Sequence, residues 1–163
     1  MARWRRRALE AFPELRRDLT SRDEYDSSIY AMFAELKRIV IRAYKDGVQA
    51  TLRRVLEYAE WCVMQRRNSD PGNASAVSFY EQLFDDTDAG MWPDVVTWLT
   101  PEVIHEVCQL WAIQHGEHEL AEIKRLIVEH HGSTCVAHWF DQHPPPSIPS
   151  RPGHPLRACK GAS

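Results

Sequence analysis

The sequence predicts an all-α fold: a single-domain bundle of about six to eight helices, largely antiparallel helical hairpins. Three observations lead there. Apolar residues recur with a 3.6-residue period over most of the first 131 positions. Helix start and stop residues punctuate those stretches at intervals suited to short connections. No segment alternates apolar and polar residues for long enough to make a strand. A chain of 163 residues is also long enough to bury a core without disulfide or metal staples.

The elements follow in order. Trp4, Ala8, Leu9, Phe12, Leu15 and Leu19 form a helical stripe, with a break or kink expected near Phe12 because Pro13 suits a first turn. The polar, acidic residues 21–26 suit a cap. The next helix runs to about Lys45, with Ile29, Phe33, Leu36, Val40 and Tyr44 on one face, and Asp46 and Gly47 permit a tight stop. Residues 48–65 repeat the pattern through Val48, Leu52, Val55, Leu56, Ala59, Cys62 and Val63. Residues 68–73 (NSDPGN) read as a loop. A helix over 74–84 follows, with Val77, Tyr80, Leu83 and Phe84 expected in the core.

Residues 85–90 (DDTDAG) read as an exposed acidic loop, and Trp92-Pro93 starts a short helix to about Leu99. Thr100, Pro101 and Glu102 then provide a capping hydroxyl, a proline at the first helical position and an acid in the first turn. That helix carries Val103, Ile104, Val107, Leu110 and Trp111 inward and ends at 114–116. The last one, 117–131, carries Leu120, Ile123, Leu126 and Ile127, with Gly132 after its end. Residues 133–142 add one more turn or two, packing Val136, Trp139 and Phe140. The helical domain is thus expected over 1–142, followed by a flexible Pro-rich tail over 143–163.

Charge is the strongest departure from an ordinary composition. Residues 68–123 hold eleven carboxylates and no Lys or Arg, whereas residues 1–67 hold fifteen Lys/Arg against ten Asp/Glu. A net charge of −3 therefore hides an acidic block between two basic flanks. Such a field attracts basic proteins and repels nucleic acid and anionic lipid, so neither nucleic acid nor membrane is an expected partner. No apolar run approaches the roughly 20 residues of a membrane span, and no signal core follows the basic start, so a cytoplasmic protein is expected. Cys62, Cys108, Cys135 and Cys159 form no CxxC pair, and reduced thiols fit them better than disulfides.

Catalytic signatures are missing. There is no Gly-x-Ser-x-Gly and no phosphate-cradling glycine loop. His105, His115, His118, His130, His131 and His138, with Cys135, make residues 105–138 the richest source of metal ligands, and a small helical metal-binding protein or enzyme is the alternative reading. His115 and His118 stand at i,i+3, able to share a face, yet no standard paired ligand spacing occurs. Glu102 and His105 form half of a di-iron motif whose other half is missing. Asp85, Asp86 and Asp88 lack the glycine and closing glutamate of an EF-hand. No cofactor is called for, and solvated acids and helix-end histidines account for these groups more simply.

Three segments, 54–60 (RVLEYAE), 79–84 (FYEQLF) and 98–103 (WLTPEV), resemble those of small helical bacterial proteins of the toxin-immunity type. The resemblance covers the middle half of the chain and implies a partner rather than a substrate: a secreted bacterial toxin, neutralised in the cytoplasm. Taken with the acidic block, the expectation is a non-enzymatic protein-binding module that presents carboxylates to a basic toxin domain. Asp85, Asp86, Asp88, Trp92 and Asp94 are the expected partner-binding residues, because they share a loop and helix start, with Glu117 and Glu119 next. A helical adaptor for an ordinary cellular protein would have the same general features.

Overall fold

The computed structural model describes residues 2–20, 28–65 and 69–136. Among these are eight α-helices and no strand: α1 (Arg3–Ala11), α2 (Arg16–Leu19), α3 (Ile29–Lys45), α4 (Gln49–Val63), α5 (Asp70–Ser75), α6 (Trp92–Thr97), α7 (Pro101–Gln114) and α8 (Glu117–His131). The expected cap at 21–26, the start of the 68–73 loop, His138, Trp139, Phe140, Cys159 and the tail at 143–163 lie outside the described residues.

Local chemistry explains most of the boundaries. Pro13, lacking an N–H, ends α1 and opens a 3-10 turn at Pro13–Leu15 that leads into α2. Ser28 caps α3 by accepting the Ala31 N–H at 3.1 Å. Gly47, at φ +69°, turns the chain back after Asp46, and α4 packs along α3 as a helical hairpin. Thr100 caps α7 through the Val103 N–H at 3.3 Å, with Pro101 in the first turn. Gly132, at φ +85°, stops α8 after two histidines whose position favours the negative helix end.

The stretch after Ser69 departs from expectation. Residues 70–73 are helical, not a loop, because the Ser69 hydroxyl accepts the Gly72 N–H at 3.3 Å and Pro71 occupies a first turn where its missing N–H costs nothing. Then α5 widens into a π-helical stretch, Ala76–Tyr80, closed by the Glu81 N–H donating to Ala76 O at 2.8 Å. The extra residue per turn rotates the buried face. Phe79 turns inward beside Tyr80, Leu83 and Phe84, while Val77, expected in the core, is exposed. Val48 also faces solvent, because it precedes the first turn of α4.

One continuous core joins these elements. Near the N-terminus, Tyr58 meets Phe12 edge-on at 5.4 Å and donates its hydroxyl to Trp4 O at 3.1 Å, fastening α1 to α4. Arg3 and Arg7 lie over the Trp61 ring, 5.5 and 4.4 Å from its centroid. These two arginines of the basic start are therefore occupied with α4. Toward the other end, Phe84 sits edge-on between Trp92 and Trp111, at 5.7 and 5.2 Å. Burial of each such ring contributes on the order of 2–3 kcal/mol, and together they anchor the turns at 81–87 on α6 and α7.

Candidate functional site: the acidic corner between α7 and α8

The chain leaves the π-helical stretch at Tyr80 and turns beneath the C-terminal end of α7. Trp111 fixes that approach by donating its Nε1–H to Tyr80 O at 2.8 Å. One turn later on α7, His115 closes the helix with its backbone N–H on Trp111 O, and Gly116 starts α8. The His115 side chain is only 1% exposed. Its Nδ1 lies 3.5 Å from Asp85 Oδ1 and 3.5 Å from Glu119 Oε2, while its ring meets Phe84 at 6.2 Å. Gln114 Nε2 donates to the other Asp85 oxygen at 3.1 Å. Carboxylates from the 81–87 turns and from α8 thus converge on one buried imidazole.

Negative charge is concentrated there. The Glu81 carboxyl is pushed above its ordinary value by burial first and by the Asp85 charge second, with His115 offsetting part of the effect. Asp85 and Glu119 keep 40% and 56% of their side chains exposed, so they remain available to a partner. Glu117 is exposed two residues before Glu119, in the first turn of α8, where the helix dipole favours it. Ile113 of α7, two residues before His115, has 81% of its surface exposed.

The structure separates the other expected residues. Asp86 is ion-paired with Lys37, an almost buried lysine of α3 that also donates to Gln82 Oε1 at 2.7 Å, so its charge is largely cancelled. Asp88 is exposed at the start of the 3-10 turn Ala89–Met91. Trp92 is not a surface anchor. Its indole N–H donates to Phe84 O at 3.1 Å and Thr87 O at 3.3 Å, and it is buried because the Phe84 ring needs a partner on that side. Asp94 accepts the Tyr44 hydroxyl and lines a separate groove between α4 and α6.

The histidines do not assemble as their spacing suggested. His115 caps the end of α7 whereas His118 lies in the first turn of α8, since the chain breaks at Gly116, and one is buried while the other is exposed. His131 donates its Nε2–H to Val96 O at 2.9 Å, tying the end of α8 to α6. Among the described residues no group of three or more His, Cys, Asp or Glu is arranged to hold a metal ion. Sequence reasoning missed the exposure of Ile113, the part played by Glu81 and the central place of His115. Ile113 was detectable, because it lies off the buried stripe of Val103, Ile104, Val107 and Trp111; the meeting of Asp85 with Glu119 depends on tertiary packing.

The architecture is that of an all-α helical bundle with an acidic corner. Residues 5–127 match the family described as Domain of unknown function (DUF7674), and the chain belongs to that family. No curated protein and no solved structure matches it. Among the described residues no helix is long and apolar enough to cross a membrane.

Proposed function

We propose that the chain is a non-enzymatic, cytoplasmic protein-binding module whose α7–α8 corner docks a cationic partner, most concretely an immunity protein that neutralises a basic bacterial toxin domain. The observation that carries this reading is the convergence of Asp85 and Glu119 on buried His115. Toxins that act on phosphate-bearing substrates have cationic clefts, and a preformed set of carboxylates can take the place of the phosphates. Complementary charge accelerates encounter with such a cleft. The resemblance of segments 54–60, 79–84 and 98–103 to toxin-immunity proteins supports the choice of partner.

The test compares immobilised wild-type chain with an Asp85→Lys/Glu119→Lys variant, and with Glu57→Lys as a control for simple loss of negative charge. Each is offered the same extract of its native cells, and bound proteins are identified by mass spectrometry. The expected result is a basic partner held by wild type and by the Glu57 variant, and lost from the corner variant. Equal retention by all three would refute the corner as the docking site. A neutral or acidic partner would refute the charge mechanism.

A further inference from the structure

A groove of about 780 Å³ runs between the end of α3, α4 and α6, apart from the acidic corner and unused by the docking reading. Its aromatic wall is Tyr44 and Trp98, with ring centroids 5.4 Å apart and planes inclined at 60°. Among the described residues its charged lining comprises Asp94, Glu57 and Glu60 against a single guanidinium, Arg53. Two of the three carboxylates are held by neutral hydroxyls: Tyr44 donates to Asp94, and Thr100 Oγ1 donates to Glu60 Oε1 at 3.0 Å. Those bonds orient the acids without cancelling their charge. The Tyr44 hydroxyl is held in its protonated form chiefly by that bond to Asp94, with burial second.

The lining selects its occupant by charge and shape. Three carboxylates against one arginine leave an excess of two negative charges, which repels anions and phosphates. A bare metal ion would leave the aromatic and leucine surfaces unused, and no described cluster is arranged to hold one. We propose that the groove binds a linear organic dication with guanidinium or ammonium ends. Its aliphatic spacer lies against Leu52 and Leu56 of α4. One cationic end stacks on Trp98 and reaches Asp94, and the other reaches Glu57 and Glu60.

The probe is agmatine, an aliphatic dication with one guanidinium and one ammonium end, titrated into the full chain at low salt by isothermal titration calorimetry. Saturable 1:1 binding is expected, weakened about tenfold by Asp94→Asn and by Glu57→Gln, the equivalent of about 1.4 kcal/mol each. Both replaced side chains are exposed, and circular dichroism confirms that the variants fold. Asp85→Asn, at the other site, is expected to leave agmatine binding unchanged. Butylguanidinium, with one charge, is expected to bind more weakly, and glutarate, a dianion of similar length, not at all. The proposal is overturned if agmatine does not saturate by about 10 mM. It is equally overturned if Asp85→Asn weakens binding as much as Asp94→Asn, or if glutarate competes.

Discussion

Replacing Trp111 with phenylalanine tests whether the acidic corner is held in place from the core. Trp111 is fully buried, its Nε1–H donates to Tyr80 O at 2.8 Å, and its ring packs on Phe84 at 5.2 Å. Phenylalanine keeps most of the ring contact, removes the donor and leaves a gap of roughly 40 Å³, which at about 24 cal/mol per Å³ costs about 1 kcal/mol. The lost transfer energy of the missing atoms adds on the order of 0.5–1 kcal/mol. Losing the hydrogen bond costs about 1 kcal/mol. The penalty is not larger because Tyr80 O also accepts the Leu83 N–H at 3.2 Å. The expected destabilisation is about 2–3 kcal/mol, read as a fall of roughly 1–2 M in the urea midpoint at an unchanged slope near 1.5 kcal/mol per M. A midpoint shift below about 0.3 M would refute the idea that this bond anchors the turns carrying Asp85.

Three further outcomes are expected. Thr100→Ala removes the α7 cap and the partner of Glu60, costing about 1 kcal/mol in urea unfolding, and Thr100→Ser restores most of it. Lys37→Met destabilises by about 1–2 kcal/mol through the loss of two polar contacts, yet quickens association with a basic partner because the ammonium that offsets Asp86, 43% exposed, is gone. Burial pushes the Cys62 thiol up from its ordinary value of 9.0 to about 12, partly opposed by Tyr58 and Arg7. A group raised in this way adds stability that is fully present below pH 9.0, the unfolded value, and lost as pH climbs through about 12. In chemical terms, iodoacetamide at pH 8.0 should alkylate Cys62 only in denaturant, and rapid labelling of the native protein would contradict its burial.

The long helices were legible because local signals agreed with one another. α3, α7 and α8 combine a regular apolar stripe with a stop or cap that the chain itself supplies: Gly47, Thr100-Pro101 and Gly132. The segment around α5 was not, because its turn-forming residues become a helix once Ser69 caps them, and a π-helical turn has no periodic signature of its own. The acidic sign of the site was also legible. Its geometry was not: Asp85 and Glu119 meet 34 positions apart through one imidazole, and Lys37 of α3 removes Asp86 from the set. Trp92 shows how composition misleads, since a tryptophan beside exposed acids looks like an interface anchor until its N–H finds two carbonyls in the core.

The most direct test of the docking corner is the association rate between the chain and the basic partner captured by it, followed as ionic strength rises. Carboxylates that steer encounter should make the wild-type rate fall by about tenfold or more between roughly 0.05 and 0.5 M salt, while the Asp85→Lys/Glu119→Lys variant starts slow and changes little. A wild-type rate indifferent to salt, or a variant that associates as fast as wild type at low salt, would contradict the account.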